Sequence, residues 1–171
     1  MKKSDLTPSE YHPYYETYLK KVDASTQLLV SLESSLISTT TFFASLPKDK
    51  LRHRYAEDKW TPKEILQHII DTERIFTYRA LRISRNDTTE LPGFDENAYV
   101  PPSQANQKNL SQLLDEFSSL KKASISLYKG FNKAMLTKLG KASGSPISVR
   151  AIPFILIGHE LHHIQVIKDR Y

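Results

Sequence analysis

Three histidines and a glutamate fall within five positions of one another in the segment GHELHHIQ, residues 158–165, of a chain with six histidines in all. Imidazole is the commonest metal-binding side chain, and two of them four residues apart on a helix can reach one ion. Such positions differ by about 40° in direction, so His159 and His163 project together on successive turns, with His162 on the flank. Both share a stripe with Ile152, Ile155 and Val166, which predicts an inward-facing pair. His68 is a third candidate, on the same side of its segment as Ile65, Ile69, Thr72 and Phe76. Each buried imidazole needs partners for two ring nitrogens, and a shared ion satisfies one on each. Three protein nitrogens leave an open coordination position, the pattern of catalytic sites. Hydrogen-bonded core or surface histidines are the competing reading, and His12 and His53, in polar surroundings, are expected at the surface.

The same stretch spells HExxH as His159, Glu160 and His163, in which a metalloprotease would use the glutamate as general base. The small chain, without a downstream third ligand or a strand-containing scaffold, argues against that reading. No cysteine is present, so a thiolate nucleophile, a disulfide framework and a zinc–cysteine cluster are all excluded. Glu64 and Asp71, one turn either side of His68, are candidate orienting groups, with solvated helix charges as their alternative.

The elements that must position these residues read as helices. Apolar residues recur at spacings of three and four over Ser25–Leu46, Thr61–Arg85, Ser111–Phe131 and Ser148–Arg170. The second start is the clearest, with Thr61 as N-cap, Pro62 at the first helical position and Glu64 completing a capping box. The N-terminal TPSEYHPYYETYLKKV predicts a short helical segment. Between Asn86 and Ala105 periodicity gives way to Asn, Asp, Pro and Gly, predicting a long connection, and GKASGSP, Gly140–Pro146, predicts a flexible linker. A connection that long in a compact fold is often functional, so LPGFDENAYV is expected to fold over the metal mouth with Asp95 or Tyr99 near substrate. With no strand-like alternation, the expectation is all-α: one domain, residues 1–171, built as an antiparallel four-helix bundle.

Composition narrows the partners. The chain of 171 residues is 39% hydrophobic, enough for one core, and carries a formal charge of +5. Its lysines and arginines are scattered, so nucleic acid is not expected; Arg74, Arg79, Arg82 and Arg85 read as a solvated face on a helix C-terminal half. No window offers about 18 consecutive apolar residues, and no apolar stretch follows the N-terminal lysines, so neither a membrane span nor a secretion signal is expected. A cytoplasmic protein fits this composition best.

The segments KWTPKEILQHIIDTERIFTYRALRISRNDTTELPGFDENAYV and ISVRAIPFILIGHELHHIQVIKDRY resemble the DinB-like superfamily, including the YfiT-like metal-dependent hydrolases. The resemblance runs from about Trp60 to the end of the chain. It implies a four-helix bundle holding a divalent metal through a histidine of the second helix and an HxxxH pair of the last, here His68, His159 and His163. Nickel or zinc is the metal expected, with iron, manganese or copper as alternatives. Glu160 would then flank the site. Relatives include hydrolases and S-transferases that use low-molecular-weight thiols, so the expectation is an enzyme acting on small electrophilic molecules, a homodimer in some relatives. The competing class is a non-catalytic, metal-stabilised helical binding or stress-response module.

Overall fold

The computed structural model describes residues 1–171, most of them helical. Helix α1 spans Glu16–Leu19, α2 Leu28–Ala44, α3 Pro62–Ser84, α4 Glu96–Ser103, α5 Leu110–Lys129, α6 Lys133–Leu136 and α7 Ala151–Arg170. Helices α2, α3, α5 and α7 form the expected four-helix bundle, and no helix is long and apolar enough to cross a membrane.

Round the bundle the neighbours are α2–α5, α5–α3, α3–α7 and α7–α2. Lys108, just before α5, donates to Gln67 on α3, and Arg74 on α3 pairs with Glu116 on α5, so these two helices ascend together. Helix α7 runs against α3, since the Tyr171 hydroxyl donates to the Trp60 carbonyl. Two helices therefore point each way, and the antiparallel arrangement expected from the sequence is corrected for α3–α5 and α7–α2, which are parallel neighbours. The cause is the 86–105 connection, which returns the chain along α3 to the end where α3 began.

The α3 start is the capping box the sequence predicts. Glu64 N–H donates to Thr61 Oγ1 (3.2 Å), and Thr61 N–H donates to Glu64 Oε2 (2.7 Å). Removing such a cap costs a helix roughly 1 kcal/mol.

Two apolar clusters fill the interior. One gathers Leu28, Leu32, Phe76, Ala80, Ile125, Tyr128 and the first turns of α7; the other gathers Phe43, Leu66, Ile70, Leu113, Phe117 and Ile167. Between them each bundle helix contributes one polar residue to a buried layer. Lys121 Nζ lies 2.5 Å from both Glu73 Oε2 and Glu160 Oε1, and Thr39 donates to Glu160 Oε2 (2.7 Å).

Three further expectations need correction. The linker over Gly140–Pro146 is part of a β-hairpin, β1 Leu139–Ala142 against β2 Ser145–Ser148, antiparallel in register. Ser143 (φ 52°) and Gly144 (φ 77°) are both left-handed, the backbone of a type I′ turn. A Cβ on Gly140 would lie 2.4 Å from Ile83 Cγ1, so glycine lets the hairpin press onto α3. Second, the long connection contains α4, started by Asp95, whose carboxylate accepts from the N–H groups of Asn97 and Ala98. Third, Arg79 is not on a solvated face: it is 2% exposed, held under the 92–94 loop and the hairpin turn.

Candidate metal centre

His68 on α3 and His159 and His163 on α7 meet at the seam between those helices, level with the buried polar layer. His68 Nε2 lies 2.9 Å from His159 Nε2, which lies 3.0 Å from His163 Nε2, and the three candidate ligand nitrogens fall within 4.8 Å of one another. All three are neutral at pH 7. Burial lowers His68 to about 4; burial, together with the other imidazoles, holds His159 and His163 well below the ordinary histidine value.

These residues fit a divalent ion. A neutral His159 Nε2 carries either one proton or one lone pair, so it cannot satisfy both neighbours at once; one ion among three lone pairs removes that conflict. Nitrogens bound at the usual 2.0–2.1 Å in tetrahedral geometry are about 3.3 Å apart. The His68–His159 and His159–His163 separations are within a few tenths of an ångström of that. His68 and His163, within 4.8 Å of one another, must draw closer by roughly an ångström or more, a movement that swinging imidazole rings can supply. His159 Nδ1 is buried with no hydrogen-bond partner, so this imidazole lacks the carboxylate or carbonyl that usually orients a ligating histidine. Packing orients it instead. Tyr18 meets its ring edge-on (centroids 5.2 Å), and Trp60 covers the other side, tilted against His68 (4.8 Å) and stacked on His163 (6.3 Å).

Glycine makes the Tyr18 contact. A Cβ on Gly158 would lie 2.3 Å from the Tyr18 carbonyl oxygen, so only a bare backbone lets α1 sit this close to α7. The N-terminal segment is further tied down by Glu10, which accepts from Arg150 (2.6 and 2.7 Å) and Ser148 (2.7 Å).

Cavities open on both sides of the histidines. One of about 170 Å³ is lined by His68, His159, Tyr18, Thr72, Arg79 and Glu96, among others. The other, about 270 Å³, is lined by Trp60, His162, His163, Asn97 and Tyr171, among others. Since Glu96 faces the first and Asn97 the second, the start of α4 lies over the seam.

The remaining candidates divide. Glu64 is occupied by its cap, by Arg54 (2.7 Å) and by Asn106 (2.9 Å), so it does not orient His68. Asp71 accepts from Gln67 (2.9 Å), its carboxyl raised by burial, and lines a small cleft with His68 without touching it. Asp95 caps α4 and is exposed; Tyr99 is 46% exposed and leans on Phe94. Glu160 points into the polar layer, away from the Nε2 cluster. His162 stays on the flank, edge-on to Tyr18, and His12 and His53 are exposed. Glu96, Trp60 and Tyr18 were not singled out from sequence; the signal for Glu96 was its place just inside an Asp N-cap, and for Trp60 its place just before Thr61.

A family model described as the DinB superfamily matches residues 32–167. None of the curated proteins matches the chain. Among solved structures, YfiT from Bacillus subtilis is described as a probable metal-dependent hydrolase with an unusual four-helix bundle topology. It superposes with a TM-score of 0.72 at 15% identity, over 96% of this chain and 89% of that one. A DinB-like protein from Bacillus subtilis, YjoA, superposes with a TM-score of 0.58 at 17% identity, over 84% and 88% of the two chains. At these identities the likeness is one of fold.

Proposed function

Because the chain belongs to the DinB superfamily, we propose that it is a divalent-metal-dependent enzyme acting on small electrophilic molecules, by hydrolysis or by transfer of a low-molecular-weight thiol. The observation that carries this reading is the convergence of three neutral imidazole nitrogens from α3 and α7. A bound divalent ion, nickel or zinc first, supplies Lewis-acid polarisation and lowers the pKa of water or a thiol beside it.

The chain's own residues do the rest. His68, His159 and His163 would hold the ion; the rings of Trp60 and Tyr18 wall two sides of it with apolar surface, which strengthens electrostatic effects beside them. Glu96, which lines the cavity that contains His68 and His159, would hold or pass a proton at its carboxylate. With no cysteine of its own, the protein takes any thiol from solution. A hydrolase is favoured by likeness to YfiT, described as a metal-dependent hydrolase.

Metal content of the purified, untagged protein, measured by mass spectrometry beside the triple variant His68→Ala/His159→Ala/His163→Ala, tests the reading. About one ion per chain, lost in the variant, supports it. A wild type that neither carries metal nor takes up added nickel or zinc would leave a helical binding module.

A further inference from the structure

Arg79 is a buried cation without a counter-ion. Elsewhere in the interior Lys121 is held between two carboxylates, and Lys63 is capped by the carbonyls of Asn106 and Lys108. No carboxylate lies within salt-bridge distance of Arg79. Its Nη2 donates to the Pro92 carbonyl (2.8 Å) and to Ser143 Oγ (3.0 Å), the Tyr15 hydroxyl is a further partner, all of them neutral, and its guanidinium packs over the rings of Phe76 (4.9 Å) and Phe94 (5.9 Å). A charge taken out of water into aromatic walls needs an opposite charge or a full set of acceptors. Pinning two loops would need only a neutral donor.

The same side chain lines the cavity that contains His68 and His159, and so does Thr72, whose buried hydroxyl has no hydrogen-bond partner. His68, Thr72, Phe76 and Arg79 follow one face of α3, so the cavity has the histidines at one end and the guanidinium at the other. Eleven residues, about 16 Å of helix axis, separate the two Cα positions, and the guanidinium folds back over the Phe76 ring (4.9 Å), so the span between it and the histidines is shorter than that. Glu96, the acid in this lining, lies beyond salt-bridge distance of the arginine and would repel an anion toward it.

We propose that Arg79 is the recognition point for the carboxylate of an anionic substrate several carbons long, its chain lying between Phe76, Phe94 and Tyr15 and its reacting bond at the histidines. This deepens the metal-enzyme reading and rests on it for the reacting end, but the anion site itself is testable without turnover.

The probes are 4-phenylbutanoate and its neutral amide isostere, titrated calorimetrically into the full-length protein as purified and after chelator treatment. The acid should bind roughly tenfold or more tighter than the amide in both forms, as expected for a charge-assisted hydrogen bond. Arg79→Gln should abolish that preference while leaving metal content unchanged. Equal binding of acid and amide, a preference that survives in Arg79→Gln, or one that vanishes with chelation would each overturn the proposal, the last because the acid would then be reading the ion. If Arg79→Gln does not fold, the Arg79 Nε–H resonance of the wild type decides: it should shift on adding the acid and not the amide, and an unmoved resonance overturns the proposal. A preference retained by a protein that takes up no metal would keep the anion site and remove the enzymatic reading.

Discussion

Lys121 Nζ lies 2.5 Å from Glu160 Oε1, and the residue before Glu160 is His159, so one turn of α7 serves two sites at once. His159 looks outward to the α3 seam and Glu160 inward to the polar layer. Burial pulls the Lys121 pKa down, but the charges of Glu160 and Glu73 outweigh it, so the lysine stays protonated. Glu73 Oε1 has no partner at all. The layer therefore depends on its single cation.

Lys121→Met should accordingly destabilise the fold by roughly 3–5 kcal/mol, because it leaves two buried carboxylates facing one another. The triple variant Glu73→Met/Lys121→Met/Glu160→Met should recover most of that loss, since apolar residues of similar volume can replace such a cluster. Urea unfolding midpoints of the two variants give the comparison. A triple variant no more stable than the single one would show that the layer is fixed by more than its charges.

Gly158→Ala should destabilise the protein by about 1–3 kcal/mol through overpacking against the Tyr18 backbone. The sign is diagnostic, since the same change at an open helix position stabilises by up to about 1 kcal/mol. Thermal unfolding measures the loss, and the His159 ring resonances should move as Tyr18 leaves.

Glu10 anchors the N-terminal segment in a pH-dependent way. Burial would raise its carboxyl, but hydrogen bonds from Arg150, Ser148 and Thr7 bring it down to about 2, against an ordinary value of 4.5. A folded-state pKa below the unfolded one means stability present above pH 4.5 and lost as pH falls from 4.5 toward 2. Melting temperatures across that window should fall less steeply in Glu10→Gln than in wild type, with the variant less stable at pH 7.

Zinc or nickel at a hundredfold excess over its Kd should raise the unfolding free energy by about 2.7 kcal/mol, by mass action on the folded state. His163→Ala should remove that increment. Melting curves with added metal and with chelator check both, and a wild type indifferent to each would count against the site.

The sequence carried what is local. The Thr61–Pro62–Glu64 start of α3 and the spacing of His159 and His163 depend on a few consecutive residues, and both appear as read. The hairpin was missed because its strands are four residues each and bury only Ala142, Ile147 and Ser148, too few for alternation to show. Arg79 was misread because its burial is decided by Pro92 and Ser143, which belong to other parts of the chain. The direction of α5 was equally out of reach, since it depends on where the 86–105 connection leads. Asp95 was singled out one residue short of Glu96: polarity marks a loop, but only the α4 cap decides which acid faces the cavity.

His68 and His159 stand 91 residues apart along the chain, more than half its length. An ion gripping both would act as a tie across that loop, joining helices that an unfolded chain holds far apart. A covalent link over such a span removes roughly 4–5 kcal/mol of unfolded-chain entropy. An ion held by the folded chain but not by the unfolded one would make dissociation and unfolding hard to separate in time, so the half-life of the bound ion would become a gauge of how often α7 peels away from α3.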